Sequence, residues 1–296
     1  MIKIFYHEID FDGVCSAEIF RKFCIANGKE CELHGFNYGK KLPQLNRDDI
    51  VVLLDISLES PQKTIEIARS VQNMIWIDHH ESALSKPGAE QLDALLPGIR
   101  EVGKASCELT WDYCFRGEKV PEAVRLLGRY DVMDKSSNWG DIVNFQYGLR
   151  SIALTLDYSL WGILLAKPSD TQRHLIETIK SNGIIVANYN ELSSAQTCKQ
   201  IAYEAIFDKY SCIVVNMFRF NREQFASVYN PAKHDIMINY FFNGKEFIVS
   251  LYSDKVDVAK LAAQYGGGGH EGASGFQCAE LPFKKRESAL YNLIVN

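Results

Sequence analysis

Apolar and polar positions along the first half of the chain follow two rhythms. The short apolar runs "IKIFYH", "CELHGFNY", "DIVVLLDIS" and "MIWIDHH" read as strands. Between them, "GVCSAEIFRKFCIANG", closed by Gly28, and "SPQKTIEIARSVQN", with Ser60 as N-cap and Pro61 at the first helical position, read as helices. This alternation predicts a parallel sheet covered by helices on both faces. "KASCELTWDYCFRG" and "PEAVRLLGRYD" read as two more helices, with Pro121 in the first turn of the second; at the start of the first, Lys104 and Ser106 could lie near an active cleft, although Ser106 is more simply its N-cap. From about Thr171 to Asp208 the pattern turns long, polar and helical, as expected of a connector. After it, "YSCIVVNMF", "DIMINYFFNGKEFIVSLYS" with a hairpin turn at Asn243-Gly244, the helical "VDVAKLAAQYG" and "GGGGHEGASGFQC" make a smaller α/β unit. The expected fold class is therefore α/β and bilobal, with a parallel-sheet domain over 1–165, a helical connector over 166–208 and a second α/β domain over 209–296.

Composition narrows the function classes. With 47% hydrophobic and 11% aromatic residues over 296 positions, the chain can bury full cores and is neither disordered nor fibrous. Its formal charge is −5, and its longest basic block is "KKR" at Lys284 to Arg286, so nothing predicts tight, backbone-driven binding to long duplex DNA. An anionic substrate must be met by a local site. Eight cysteines occur without a C-x-x-C pair, and Cys15, Cys24, Cys107 and Cys114 fall in apolar helical patterns, which suits reduced, buried thiols and a cytosolic setting. Neither a signal peptide nor a membrane span is expected. Trp76 and Trp111 sit in apolar patterns and read as core. "FRFNREQFASVYN" reads as an ordinary strand and loop, although its aromatics and arginines could stack on bases.

Chemistry gathers at the strand ends. His7, Asp10 and Asp12 follow the first strand, Asp55 ends "VVLLD", and Asp78, His79 and His80 end "MIWIDHH". In an open parallel sheet the carboxyl ends of the strands border one crevice, so these segments should converge there. Carboxylates brought together without Lys or Arg repel one another and raise each other's pKa, which bound metal relieves. Mixed oxygen and imidazole donors suit Mn²⁺, Mg²⁺ or a similar divalent ion, and the lack of cysteine argues against structural zinc. Individual positions keep simpler alternatives: Asp12 could cap the helix behind it, and Asp78 could serve only to orient His80.

Taken together, "HEIDFDG", the isolated Asp55, "DHH" at 78–80, "RYDVMD" and the late "GGGGHEGASGF" resemble the DHH superfamily of phosphoesterases and its DHH-associated C-terminal domain. The resemblance runs from residue 7 to residue 276. It implies two divalent metal ions, most plausibly Mn²⁺ with Mg²⁺ or Co²⁺ as alternatives. His7, Asp10 and Asp55 would hold one, and Asp12, Asp55, His79 and Asp131 the other, with Asp55 bridging. Asp131 is preferred over Asp134 because it directly follows a helical run. His80 would face the scissile phosphate and Asp78 would support it, which makes these two the catalytic candidates. Gly267, Gly268, Gly269 and His270 would hold the substrate's phosphate. Family members that act on short nucleotides often carry an arginine in "S-x-R-S"; this chain reads "VSLYS", with Tyr252 in that place, and Lys255 or Arg219 as the other candidates for the clamp.

The resemblance implies hydrolysis of a phosphoester in a small phosphorylated substrate: a short single-stranded oligonucleotide, a linear dinucleotide or a nucleoside bisphosphate. A polyphosphate or pyrophosphate hydrolase is the alternative enzyme. The non-enzyme alternative is a nucleotide-binding sensor that retains its metals, in which loss of Asp55 or His80 would be expected; neither is lost.

Overall fold

The computed structural model describes residues 1–37, 40–152 and 157–286. Two compact units emerge, Met1–Ala187 and Asn188–Asn296. The first contains β1 (Ile2–His7), α1 (Phe11–Ala26), β2 (Cys31–Phe36), β3 (Ile50–Leu54), α2 (Pro61–Ser70) and β4 (Asn73–Ile77). Then follow α3 (Glu81–Leu84), α4 (Ala89–Leu95), α5 (Ser106–Cys114), α6 (Glu122–Asp131), α7 (Trp139–Ser151) and α8 (Tyr158–Leu164). A long helix, α9 (Asp170–Ile201), closes this unit and runs on into the next.

The four strands form a parallel sheet in the order β2-β1-β3-β4. Period-two alternation sorts their side chains. Ile4, Val52, Leu54 and Ile77 join a core with α1, α5 and α6, while Phe5, Val51, Leu53, Met74 and Trp76 join another with α2 and α4 on the opposite face. Trp76 and Trp111 are both buried, and the Trp76 Nε1–H donates to the Ile56 carbonyl at 2.9 Å. Ser60 caps α2 by accepting from the Lys63 N–H, with Pro61 at the first position. The eight cysteines are free thiols, and Cys15, Cys24, Cys107 and Cys114 are buried. Tyr38, the last residue of the second expected strand, lies outside the described residues.

Helices α7 and α8 carry no amphipathic stripe legible from sequence. Ile142, Phe145, Gln146, Tyr147, Gly148 and Leu149 are all buried, so polar and apolar residues share the inward faces of α7. It meets α9 at two glycines. A Cβ on Gly148 would stand 2.0 Å from the Ile179 carbonyl oxygen, and one on Gly183 would stand 1.7 Å from that of Asn144. Backbones at this distance leave no room for a side chain, which explains a glycine in the middle of a 32-residue helix despite its low propensity.

The second unit holds β5 (Tyr203–Phe207), β6 (Tyr210–Asn216), β7 (Ile236–Phe242), β8 (Phe247–Tyr252), α10 (Val258–Ala263), β9 (Gly268–His270), β10 (Ala273–Cys278) and β11 (Lys284–Lys285). They form one sheet in the order β11-β5-β6-β7-β8-β10-β9, in which β6 and β7 alone run parallel among the described strands. The hairpin between β7 and β8 turns at Asn243-Gly244, with Gly244 at φ +95°. Two local readings need correction. Helix does not continue to Asp208: from Tyr203 the chain is strand, with Ala205 and Phe207 buried and Glu204 and Ile206 exposed, a period of two in a segment too short to display it against the preceding helix. The stretch "FRFNREQFASVYN" is not a strand; Arg222–Phe225 is a single 3₁₀ turn closed by a reciprocal Asn221–Gln224 capping box, and Arg222 pairs with Asp254. Among the described residues no helix is long and apolar enough to cross a membrane.

Candidate metal centre

Parallel register builds the site. Tyr6, Leu54 and Ile77 stand in one row across β1, β3 and β4, so His7, Asp55 and Asp78 are each the next residue along at the same edge. Asp55 is held there by its own N–H, which donates to the Ile77 carbonyl at 3.0 Å, and it adopts φ +60°. A left-handed aspartate carries about 1–2 kcal/mol of backbone strain, retained at the centre of the cluster. Asp55 is buried.

The first strand hands over to α1 at once. Asp10, not Asp12, is the N-cap: its Oδ1 accepts from the Gly13 N–H at 3.0 Å, which leaves Oδ2 2.7 Å from His7 Nδ1. His7 Nδ1 is also 3.6 Å from Asp55 Oδ2. Gly13 makes this approach possible, because a Cβ there would stand 2.1 Å from the His7 carbonyl oxygen. Gly13→Ala is expected to cost about 2–3 kcal/mol of stability, as overpacking does, and to push His7 away from Asp10. A melting curve together with metal content measures both effects; an unchanged protein would show that the helix can shift without consequence.

Asp12 lies inside the first turn of α1 and points to the start of α5. Its two carboxylate oxygens accept from the backbone N–H groups of Ser106 at 2.9 Å and Cys107 at 2.8 Å. Ser106 is therefore not the cap of α5, a position filled by Ala105, and its hydroxyl instead donates to Asp55 Oδ1 at 3.0 Å. The sequence offers a place for Ser106 near the cleft only as its second reading, since a serine at a helix start signals a cap first. Lys104, one residue earlier than that cap, pairs with Asp112.

His79 Nε2 gathers three carboxylates: Asp55 Oδ1 and Asp131 Oδ2 at 3.3 Å each, and Asp12 Oδ2 at 3.6 Å. Asp134, the alternative in "RYDVMD", lies instead beside Arg129 at 3.2 Å and accepts from the Ser136 N–H. Asp78 is fully buried and grips its neighbours: Oδ1 accepts from the His79 and His80 N–H groups at 2.8 and 3.3 Å and lies 2.7 Å from His80 Nδ1. His80 Nδ1 is 3.7 Å from Asp55 Oδ1.

These groups set one another's proton affinities. Burial alone would lower the imidazole of His7, but its hydrogen bonds to the Asp10 and Asp55 carboxylates overcome it and raise the value to about 11. Burial likewise opposes His79, which Asp55, Asp12 and Asp131 lift to about 10, and His80, which Asp78 and Asp55 lift to about 9. Burial raises Asp131 to about 7, and burial with the charges of Asp55 and Asp131 raises Asp12 well above the carboxylate range. Asp55 moves the other way: despite its burial, His7 and His79 hold it below the ordinary range.

Within the first unit, three groups could each hold a cation with donor atoms within 4.8 Å of one another: His7, Asp10 and Asp55; Asp12, Asp55 and His79; Asp55, Asp78 and His80. Asp131 Oδ2 is buried and has no hydrogen-bond donor among the described residues. An orphaned carboxylate oxygen beside clustered Asp and His fits a divalent cation, since such a charge offers what the protein does not. Asp55 is common to all three groups.

The second unit presents the remaining candidates separately. Gly268, Gly269 and His270 form β9, antiparallel to β10, so the glycine run is an edge strand rather than an open loop, with Gly267 just before it and Gly269 at φ +138°. Register sets His270 and Tyr252 on either side of Ala273 in one row. Lys255 donates to the His234 carbonyl at 3.3 Å and to that of Pro231, and Arg219 lies over the Phe218 ring at 5.3 Å.

Residues 1–128 match the family described as DHH family, N-terminal domain. A protein of Acanthamoeba polyphaga mimivirus, "Uncharacterized protein R106", is 24% identical over 256 residues, covering 81% of this chain and 56% of its own length. This chain thus spans little more than half of that relative. Among solved structures, RecJ in complex with Mn²⁺ from Thermus thermophilus superimposes over 94% of this chain and 49% of its own, with 14% identity and a TM-score of 0.50. The pGpG-specific phosphodiesterase PggH from Vibrio cholerae covers 94% of this chain and 92% of its own at 12% identity and a TM-score of 0.43.

Proposed function

Starting from residues 1–128 as a DHH-family N-terminal domain, we propose that this chain is a metal-dependent phosphoester hydrolase. The observation that carries the reading is Asp55, whose carboxylate is shared between His7 and Asp10 on one side and Asp12 and His79 on the other. His7, Asp10 and Asp55 would hold one divalent cation, and Asp12, Asp55, His79 and Asp131 a second, with Mn²⁺ the first choice and Mg²⁺ or Co²⁺ the alternatives. When bound, such a pair polarises a phosphoryl oxygen and supplies hydroxide at neutral pH.

The chain's own residues do the rest. The α5 backbone fixes both Asp12 oxygens, and the Ser106 hydroxyl fixes Asp55, so the donor set is pre-oriented. Asp78 occupies His80 Nδ1, so a proton that His80 gives or takes moves at Nε2. Its raised pKa keeps that proton in place at neutral pH, ready for the leaving oxygen. Asp78→Asn is expected to lower kcat by about 10- to 100-fold, the usual loss when a supporting partner is removed. It should also shift the alkaline limb of the pH profile downwards, which lost folding alone would not do. An unshifted profile would remove Asp78 from the mechanism.

Within this class the substrate we favour is a short oligonucleotide, a linear dinucleotide or a nucleoside bisphosphate. Tyr252 and His270, in one row on either side of Ala273, offer an aromatic face and an imidazole donor for a nucleotide, with Gly267, Gly268 and Gly269 alongside. The test is metal-supplemented turnover of a model phosphodiester, a linear dinucleotide, 3′,5′-bisphosphoadenosine, polyphosphate and pyrophosphate. Turnover confined to the last two would replace the nucleotide reading with the phosphoanhydride one, and no turnover of any would end the hydrolase reading.

A further inference from the structure

Within the second unit, the end of α9, β5 and the segment from Ser227 to His234 border a cleft of about 530 Å³. His234 lines it and is 5% exposed. The Asn230 N–H donates to His234 Nδ1 at 3.1 Å, so the neutral ring carries its proton on Nε2. That Nε2 is buried and makes no hydrogen bond among the described residues. Glu204 Oε1 stands 3.7 Å away, beyond hydrogen-bond reach, while the other oxygen of Glu204 faces Arg286. The Tyr229 hydroxyl is a second buried atom without a partner, and its ring lies 6.1 Å from that of His234.

Buried polar atoms are nearly always paired, so two unmet donors in one wall call for an acceptor from outside. Lys199 and Lys233, both exposed, line the same cleft, and neither forms an ion pair among the described residues. The geometry points to an oxyanion-binding site in which a phosphate or carboxylate group accepts from His234 Nε2–H and the Tyr229 hydroxyl between Lys199 and Lys233. Burial keeps His234 below its ordinary value, so at neutral pH it contributes a donor while the lysines supply the charge. The cleft is larger than one such group, which leaves room for the body of a small phosphorylated or carboxylated molecule. This site uses none of the strand-end residues and stands whether or not the hydrolase reading does.

The test uses the 296-residue chain without added metal, so that no bound cation draws anions to the strand-end cluster. The His234 imidazole signal, assigned by its loss in His234→Gln, is followed by NMR during titration with inorganic phosphate and, separately, acetate. A saturable shift with phosphate alone assigns the site to phosphoryl groups, and one with acetate alone to carboxylates. Lys199→Ala/Lys233→Ala, at two exposed positions that leave the fold intact, should weaken binding by about 10- to 100-fold, as expected for losing charged contacts. No shift with either anion, or a shift unchanged in the double variant, overturns the site and leaves Glu204 as the group that satisfies His234.

Discussion

Asp55→Asn is expected to abolish hydrolysis, with kcat/KM falling by about 10²- to 10⁴-fold, the square of the loss typical of one supporting contact, because both cations would share this ligand. The asparagine keeps the shape of the side chain and can still receive the Ser106 hydroxyl. What it loses is the charge that His7 and His79 both approach, at 3.6 and 3.3 Å. Metal content should fall for both sites together, whereas a variant of Asp10 or Asp131 should empty one before the other. Stability should change far less than activity. The left-handed backbone favours asparagine at least as much as aspartate, and removal of one carboxylate relieves Asp12 and Asp131. Measured metal stoichiometry, kcat/KM and Tm separate these effects. A fully active variant, or one that keeps two tightly bound ions, would refute the shared-ligand arrangement.

The sequence carried this site because its donors sit at strand ends, where a break in an apolar run is easy to see. "VVLLD" and "MIWIDHH" mark Asp55 and Asp78 by the change from buried aliphatic to ionisable residues, and parallel register makes those ends coincide in space. Asp131 was harder, since "RYDVMD" offers Asp134 as well and only the preceding helical run favours Asp131; the 3.3 Å approach to His79 separates it from Asp134, which lies beside Arg129. The positive φ of Asp55 left no mark in the pattern, and Ser106 read first as a cap, because the contact between them follows from how β3, β4 and α5 meet. The same limit hid α7, whose buried glycine and glutamine erase the periodicity that would announce a helix. His234 and Tyr229 were invisible for a related reason: lone polar residues in a loop look ordinary until burial shows what they lack.

Metal affinity should rise with pH by about one decade per unit between roughly pH 7 and 9 for each cation, because binding must expel a histidine proton from each site. In the metal-free protein His7 and His79 hold their protons to about 11 and 10, against burial, through Asp10, Asp55, Asp12 and Asp131. The site holding Asp12 and Asp131 should steepen further below about pH 7, where Asp131 also carries a proton that a cation must displace. The same protons set the stability of the metal-free fold. Because the folded pKa values of His7, His79 and His80 exceed the unfolded value near 6.5, the native state binds more protons than the unfolded one above that pH. Their stabilisation is complete below about 6.5 and is lost as pH climbs through about 9 to 11. Asp12 and Asp131, raised by burial, act in the same direction at lower pH, whereas Asp55, held low, contributes stability that is fully present above about pH 4 and is lost only as pH falls into acid. Chelation should therefore lower Tm by more at pH 9 than at pH 6, while the metal-loaded protein changes little. Isothermal titration in buffers of different ionisation enthalpy would count the released protons directly. A gap between loaded and chelated Tm that stays constant from pH 6 to pH 9 would mean that His7 and His79 do not give up protons to metal, and the ligand set would have to exclude them.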